Sequence, residues 1–266
     1  MKIVAWMVVK NDSFYVDLAL RSVLPFVDGV YIQDQFSDDG TYEKILTYVP
    51  TGKVVVERVD TGLAGRFNSG YNEPHFRSLA LERAEKVFCE SEWLLKLDAD
   101  EIYTEAFFEM LNDREAQFKK INSFRMSGHR FVTSRHISWH PSAIERNLGV
   151  EYIDPHTHLW RRGLGVRYVP NPHMTGFLHC VLNPEPQPAT WVSGIYNIHL
   201  HRIFGPKALI FWKEGGEEFD ESKPFHAPTM TPKWFRSKVN MGTAVEVDFT
   251  WPDFILDRWR EWGRVW

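Results

Sequence analysis

Short hydrophobic runs alternate with longer stretches of helical periodicity over the first hundred residues of the chain. Four apolar runs bounded by polar residues have the length of buried strands. They cover residues 2–9, 29–34, 53–57 and 93–97. Three stretches between them place apolar side chains near helical spacing, and Asp12 is expected to cap the first of these helices. They cover residues 12–24, 42–48 and 74–90. This alternation predicts an α/β fold with a mostly parallel, doubly wound sheet, right-handed crossovers and helices on both faces.

The pattern changes after residue 122. Short segments separated by Pro- and Gly-containing turns predict mixed or antiparallel strands. They cover residues 123–132, 158–162, 166–169, 176–182 and 194–201. Beyond residue 205 we expect a helical, Trp-rich extension, whose last helix starts at residues 250–253 with Pro252 at an early position. An apolar stripe on this helix favours packing on the main domain over a membrane or partner surface. It consists of Ile255, Trp259, Trp262 and Trp266.

Composition narrows the classes of function. The 266-residue chain is 44% apolar and 25% charged, as in ordinary soluble globular proteins. A net charge of -4 without a Lys/Arg cluster argues against nucleic-acid binding. Cys89 and Cys180 are the only cysteines, so we expect no disulfide framework and a reducing, cytoplasmic compartment. The run at residues 2–9 is too short for a transmembrane segment and lacks a signal-cleavage pattern, so neither is expected.

Two carboxylates, Asp98 and Asp100, directly follow the run at residues 93–97. Side chains alternate along a strand, so both carboxylates are expected on the same side at its carboxyl end. Open α/β sheets bind ligands at this edge. Two carboxylates there suit a hard divalent cation, and the cation in turn suits a diphosphate. The first hypothesis is therefore a metal-bound nucleotide site, and the alternative is a solvated acidic turn.

Four segments together resemble the GT-A-fold glycosyltransferases of the family 2-like group. In order they are Ile3–Asp12, Tyr31–Thr41, Arg77–Ala80 and Leu94–Glu101. Their order and rough spacing match over residues 1–105, and the match weakens through about residue 201. The resemblance implies a glycosyltransferase domain followed by a separate extension. These regions are residues 1–205, with a nucleotide-binding half (1–105) and an acceptor half (106–205), and residues 206–266.

The resemblance also implies a reaction and its partners. A sugar would move from a nucleotide-diphosphate sugar, UDP- or GDP-linked, to a hydroxyl acceptor such as a glycan. Mn²⁺ or Mg²⁺ would bind the diphosphate. Two other classes stay open: a metal-dependent hydrolase that uses the Asp/His cluster, and a non-catalytic carbohydrate-binding protein that uses the tryptophans.

Residues that bind the nucleoside follow from the same resemblance. Asp34, at the end of the second strand, would contact the base or ribose. Its alternative role is to cap the turn at residues 37–41. Lys10 and Asn11, after the first strand, would border the base.

Candidate phosphate contacts come from the helix and loop before the fourth strand. Arg77 would pair with phosphate through its planar guanidinium, and its alternative is a surface salt bridge with Glu73, four residues earlier. Arg66, in a Gly-rich loop, is a further candidate. The resemblance also implies that Asp98, Ala99 and Asp100 belong to the donor site. Asp98 would face the ribose or the metal, and Asp100 would bind the metal.

Histidines in the second half are candidates for the remaining metal ligands. His199 and His201 share one face of an alternating segment, and GT-A relatives often supply a late histidine to the metal. Imidazole with carboxylate oxygens suits Mn²⁺, whereas Mg²⁺ prefers oxygen ligands. His156 and His158 form a second pair with this spacing, which is as well suited to contact the acceptor as to bind a metal.

An inverting transferase needs a base that deprotonates the acceptor hydroxyl. Relatives often have His-Glu where this chain has His179-Cys180, so the usual glutamate is missing. Glu151 and Asp154 are the next candidates, followed by His140 and His179. Asp154 precedes a proline, so simple turn formation is its alternative role. Retention of configuration also stays open.

Overall fold

The structure is a computed structural model. It describes residues 1–60, 73–115, 117–130, 136–138, 155–170, 180–192, 194–200, 244–246 and 249–265. In these residues the α-helices are α1 Val16–Val23, α2 Thr41–Leu46, α3 Glu73–Val87, α4 Glu105–Asp113 and α5 Asp253–Val265. The strands are β1 Ile3–Val9, β2 Gly29–Asp34, β3 Val54–Arg58, β4 Trp93–Lys96, β5 Glu101–Tyr103, β6 Ser123–Arg130, β7 His136–Ser138, β8 Pro155–Arg161, β9 Arg167–Pro170, β10 Cys180–Asn183, β11 Ala189–Trp191, β12 Asn197–His199 and β13 Ala244–Glu246. None of the described helices has the length and hydropathy needed to cross a membrane.

The chain divides into two compact units that interleave along the sequence. The first unit consists of Met1–Ala99, Phe108–Arg125 and Thr157–Val192. The second consists of Asp100–Phe107, Met126–His156 and Ser193–Trp266. The sequence predicts consecutive regions instead, namely 1–105, 106–205 and 206–266.

The first unit is built on a sheet with strand order β3, β2, β1, β4 and β8. β1 is parallel to both β2 and β4, and β2 is parallel to β3. β8 is antiparallel to β4. The mostly parallel α/β sheet predicted from the sequence is therefore confirmed, as is the mixed pairing of the strands that follow it.

The strand order creates a switch point between β1 and β4. The chain first moves from β1 outward to β2 and β3, and then crosses back to β4 on the other side of β1. Such crossovers are right-handed, so the helices that connect β1, β2 and β3 lie on one face of the sheet. The helix that leads back to β4 lies on the other face. α1 and α2 contact each other, while α3 packs on β1 and β2. Open α/β sheets bind ligands at the carboxyl ends of the strands beside such a reversal.

Large aromatic side chains form the core on the α3 face. Trp6 of β1 packs edge-on against Trp160, with ring centroids 6.3 Å apart, and against Tyr168 at 5.6 Å. Ala80 and Ala84 of α3 are fully buried in the same cluster. Small helix residues let α3 approach the sheet closely, so its amino-terminal end is fixed near the carboxyl end of β4.

The first helix starts later than the sequence predicts. Asp12 does not cap it: the helix begins at Val16, and its N-cap residue, Tyr15, forms no side-chain capping bond. The Asp12 backbone carbonyl instead accepts hydrogen bonds from Tyr15 N and Val16 N, both at 2.9 Å. Its backbone N–H donates to Thr41 Oγ1 at 2.8 Å. Asp12 therefore joins the segment before α1 to the first residue of α2.

The second unit includes β12, which lies within the strand segment predicted at residues 194–201, and the short strand β5, which the sequence did not predict. β12 is antiparallel to β5 and parallel to the end of β6, and the hydrophobic helix α4 begins directly after β5. The predicted last helix is confirmed as α5, where Ile255 is fully buried. Trp259 of the predicted stripe packs edge-on against Trp251, with ring centroids 5.9 Å apart. The extension also contains the strand β13, and the side chains of Trp262 and Trp266 lie outside the described residues.

Candidate functional site

The loop after β1 is tied to the loop after β2. Asn11 adopts a left-handed backbone with φ of 55°, a conformation that asparagine tolerates. Its backbone N–H donates to Ser37 Oγ at 3.0 Å. Its side-chain amide donates to Asp38 Oδ1 at 2.8 Å and accepts from Asp38 N at 3.0 Å. Lys10 Nζ donates to the carbonyl of Gln35 at 2.8 Å. Both predicted residues therefore shape this edge of the sheet, and their contact with a base stays a prediction.

Asp34 is a fully buried carboxylate at the last position of β2. It accepts hydrogen bonds from Ser37 N at 3.2 Å and from Arg58 Nε at 3.1 Å. Arg58 is its register partner on β3, and Arg58 Nη2 also donates to the Ser37 carbonyl at 2.9 Å. The alternative role of Asp34, bonding to the following turn, is thus observed, and contact with a nucleoside is untested.

An exposed aromatic side chain covers this ion pair. The Arg58 guanidinium lies 4.5 Å from the ring centroid of Phe36 and 4.6 Å from that of Tyr42. Phe36 is 47% exposed and has a positive φ of 52°. A phenylalanine in this region is strained by about 1 kcal/mol or more, and the cation–π contact offsets part of that cost. A flat apolar ring therefore faces outward at the carboxyl edge.

Asp39 holds the turn before α2. Burial raises the pKa of its carboxyl, but hydrogen bonds from the Thr41 side chain, Ser13 N and Thr41 N outweigh that effect and hold the pKa below its ordinary value. Asp39 Oδ1 accepts from Thr41 N and Asp39 Oδ2 from Ser13 N, each at 3.0 Å. The charged carboxylate therefore joins the segment after β1 to the start of α2.

A buried ionic group lies at the other side of the switch point. Arg77 of α3 donates from Nε to Glu73 Oε1 at 2.7 Å and from Nη1 to Asp98 Oδ1 at 2.9 Å, with Nη2 3.4 Å from Asp98 Oδ2. Lys96 Nζ donates to Asp98 Oδ2 at 2.7 Å. The Arg77 guanidinium also lies 5.8 Å from the Tyr168 ring centroid. The predicted Arg77 therefore makes its i–4 salt bridge, but inside the protein and jointly with Asp98.

Both cations of this group are held in fixed positions. The side chains of Arg77 and Glu73 are each 7% exposed, and that of Asp98 is 20% exposed. Lys96 is the register partner of Trp6, so its side chain projects on the α3 face of the sheet. Arg77 lies on the same face, near the amino-terminal end of α3. Two basic and two acidic groups thus form a compact cluster at the carboxyl end of β4.

A carboxylate and an imidazole lie side by side in the second unit. Glu101 of β5 is fully buried and faces its register partner, His199 of β12. His199 Nε2 is 3.1 Å from Glu101 Oε1, and Asn197 Nδ2 donates to Glu101 Oε2 at 3.3 Å. The backbone of Leu200 donates to the carbonyl of Asp100 at 2.8 Å. The predicted metal ligand His199 therefore lies beside a buried carboxylate that was not a candidate from the sequence.

The described residues do not by themselves make a complete metal site. No group of three or more His, Cys, Asp or Glu side chains suited to a metal ion occurs among them. Asp98 already pairs with Arg77 and Lys96, and a cation at that carboxylate would meet two positive charges. His201 lies outside the described residues. The metal roles of Asp98, Asp100, His199 and His201 remain predictions.

The remaining predicted residues fall into two groups. Ala99 is buried, and His158 is fully buried on β8, inside the first unit. The others lie outside the described residues: Arg66, His140, Glu151, Asp154 and His179. Arg58 and Glu101 were not candidates from the sequence because each gains its role from a cross-strand neighbour. Lys96, which was not a candidate either, bonds to Asp98 two residues further along the chain.

Comparison with known proteins finds likeness only to solved structures. No family model and no curated protein matches the chain. Staphylococcus aureus TarS, solved with UDP-GlcNAc, matches 49% of this chain and 35% of its own at 21% identity and a TM-score of 0.38. The Pyrobaculum calidifontis mannosyltransferase PcManGT, solved with GDP-Man and Mn²⁺, matches 49% and 36% at 14% identity and a TM-score of 0.35.

A third match is the Mycobacterium tuberculosis glucosyl-3-phosphoglycerate synthase, solved with Mn²⁺, UDP and its product. It covers 49% of this chain and 44% of its own at 16% identity and a TM-score of 0.34. The matched part thus spans about a third to under half of these solved chains. At such scores the likeness carries no function to this protein, whose activity has to be argued from its own residues.

Proposed function

We propose that the chain is a GT-A-type glycosyltransferase that moves a sugar from a nucleoside-diphosphate sugar to a hydroxyl acceptor such as a glycan. One observation carries this proposal: the Arg77–Asp98–Lys96 group lies at the carboxyl end of β4, beside the switch point between β1 and β4. Ligands of open α/β sheets bind at this place, and a guanidinium with a neighbouring ammonium suits a diphosphate.

The nucleoside has a rigid surface to bind against in this proposal. Asp34 is fully buried and holds Arg58 and the backbone of Ser37 in place, so it fixes the surface that the nucleoside would meet. The exposed ring of Phe36 offers a stacking surface for a base. Lys10 and Asn11 hold the two bordering loops together, so little chain entropy is lost on binding.

The diphosphate would lie near Arg77 and Lys96. Glu73 and Asp98 hold Arg77 at three contacts, and Asp98 holds Lys96 at one, so the charge of both cations is already oriented before the reaction. Preoriented charges in a partly buried site stabilise developing negative charge more than mobile surface groups do. In sugar transfer that charge develops on the diphosphate oxygen as its bond to the anomeric carbon breaks.

The acceptor completes the reaction. Its hydroxyl oxygen attacks the anomeric carbon, and its proton passes to a base. Glu151, Asp154 and His179 are our candidates for that base. A divalent cation, Mn²⁺ or Mg²⁺, would add Lewis-acid stabilisation of the diphosphate when bound, with Asp100, His199 and His201 as its candidate ligands.

Nucleotide binding tests the proposal directly. Thermal unfolding would be followed with UDP, GDP, CDP and dTDP, each with and without Mn²⁺. We expect one nucleoside diphosphate to stabilise the protein, by about 2.7 kcal/mol at a hundredfold excess over its Kd. Arg77→Gln should abolish the shift, and Arg83→Gln, an exposed arginine on the same helix, should keep it.

Two outcomes would contradict the proposal. One is the absence of stabilisation by any of the four nucleotides in either condition. The other is a nucleotide shift in Arg77→Gln equal to that of the unmodified protein. Cleavage of a glycan at equal rates with and without a sugar nucleotide would favour the hydrolase instead.

A further inference from the structure

A cavity of about 390 Å³ opens at the amino-terminal edge of the sheet in the first unit. Residues just before β1 and β4, together with the end of the antiparallel strand β8, form its walls. The proposed donor site lies at the opposite, carboxyl edge. Because β1 has seven residues, the two edges are about 20 Å apart. The cavity is therefore separate from the proposed sugar-nucleotide site.

Two adjacent arginines line this cavity. Arg161 donates from Nε to the carbonyl of Ile121 at 2.8 Å, and its guanidinium lies 4.5 Å from the ring centroid of Trp93, its register partner. Arg162 Nη1 donates to the carbonyl of Cys89 at 2.6 Å. These carbonyl contacts hold both guanidinium groups at the cavity wall.

Two lining residues have buried polar atoms without a hydrogen-bond partner. They are Nε of Arg162 and the hydroxyl of Ser91, and Ser91 itself is 9% exposed. Buried donors without a partner are rare and unfavourable in folded proteins. An oxyanion bound against either residue would supply the missing partner.

The charge of the lining also favours an anion. Lys119 adds a third basic side chain to the lining, which also contains the carboxylates of Glu92 and Glu115. Glu92 accepts a hydrogen bond from the backbone of Lys2 at 3.1 Å, and Glu115 is exposed, with 56% of its side chain accessible. Basic groups outnumber acidic ones, and the acidic groups disfavour a large polyanion. A single phosphate group fits this balance.

We propose that this cavity binds the phosphate group of a small molecule, either inorganic phosphate or a phosphomonoester. Arg162 and Ser91 would donate hydrogen bonds to its oxygens. Arg161 and Lys119 would supply further positive charge, and Trp93 would form the apolar floor beneath Arg161. The site does not depend on the proposed sugar transfer.

The test uses inorganic phosphate and glycerol 3-phosphate as probes, at constant ionic strength maintained with chloride. Binding to the full chain would be measured by calorimetry and by thermal shift. We expect Arg162→Gln to weaken binding at least about tenfold, as loss of a charge-assisted hydrogen bond does, and Ser91→Ala to weaken it less. If inorganic phosphate binds more tightly, the free ion is the ligand. If glycerol 3-phosphate binds more tightly, the ligand is a phosphomonoester.

Two control variants separate this site from the donor site. Arg167→Gln removes a half-exposed arginine of the same unit and should leave phosphate binding unchanged. Arg77→Gln removes the guanidinium of the proposed sugar-nucleotide site. It should also leave phosphate binding unchanged, although nucleotide binding is lost. Three results would overturn the inference: no binding of either probe, unaltered binding in Arg162→Gln, or loss of phosphate binding in Arg77→Gln.

Discussion

The pairing of Arg77 with Glu73 and Asp98 predicts a strong energetic coupling within this group. The perturbations are Arg77→Gln, Glu73→Gln and the double variant. Arg77→Gln removes the guanidinium that Glu73 and Asp98 share, while Glu73→Gln leaves both bonds between Arg77 and Asp98 in place. The double variant removes the unpaired Glu73 charge together with the arginine.

The structure sets the expected magnitudes. Removing one partner of a buried ion pair costs about 3–5 kcal/mol. Asp98 is one-fifth exposed and keeps Lys96 as a partner, so Arg77→Gln should cost about 3 kcal/mol, the lower end of that range. Glu73→Gln should cost about 1.5–3 kcal/mol, the value of one hydrogen bond to a charged group. The double variant should cost about 3 kcal/mol, which leaves a coupling of about 1.5–3 kcal/mol.

Urea unfolding followed by circular dichroism measures these free energies. Arg83→Gln on the exposed side of α3 is the matched control and should change stability by less than about 0.5 kcal/mol. A cost below about 1 kcal/mol for Arg77→Gln, or additivity of the two single variants, would refute the reasoning. The group would then be a loose surface contact rather than a fixed cationic site.

Two further predictions concern pH. The pKa of Asp39 lies below its ordinary value, so its charge stabilises the protein above about pH 4 and this contribution is lost as the pH falls through the lowered pKa. Asp39→Asn should therefore be less stable than the unmodified protein at pH 7 and equal to it in strong acid, and a constant difference in urea unfolding across this range would contradict that. Burial raises the pKa of Tyr31, and so do the hydrogen bond to Glu57 and the negative charge of Glu57. The stability that Tyr31 adds over Tyr31→Phe should be present below about pH 10 and decline above it, and an unchanged difference in alkaline urea unfolding would count against this.

The strands and their carboxyl-end residues could be predicted from the sequence because they depend on local pattern. The apolar run before Asp98 and the run ending at Asp34 each have the length of a buried strand. In the structure Asp34 is the last residue of β2, and Asp98 lies two residues after the end of β4. Arg77 could also be found, since it lies on a clear helix four residues after Glu73.

The partners of these residues could not be predicted, because they depend on register and crossover geometry. Arg58 meets Asp34 only because β2 and β3 pair in parallel with those two positions opposite each other. Glu101 follows Asp100 directly, yet it became notable only when β5 and β12 set it against His199. Short strands such as β5, with three residues, also carry too little periodicity to be recognised.

Hydrogen–deuterium exchange with the nucleoside diphosphate that binds best tests the central claim most directly. The account predicts slower exchange of backbone amides at residues 9–12, 34–38 and 96–99, the three strand ends beside the switch point. Protection restricted to residues 89–93 and 161–163, at the amino edge, would contradict it, as would unchanged exchange at all three carboxyl-end segments under saturating nucleotide.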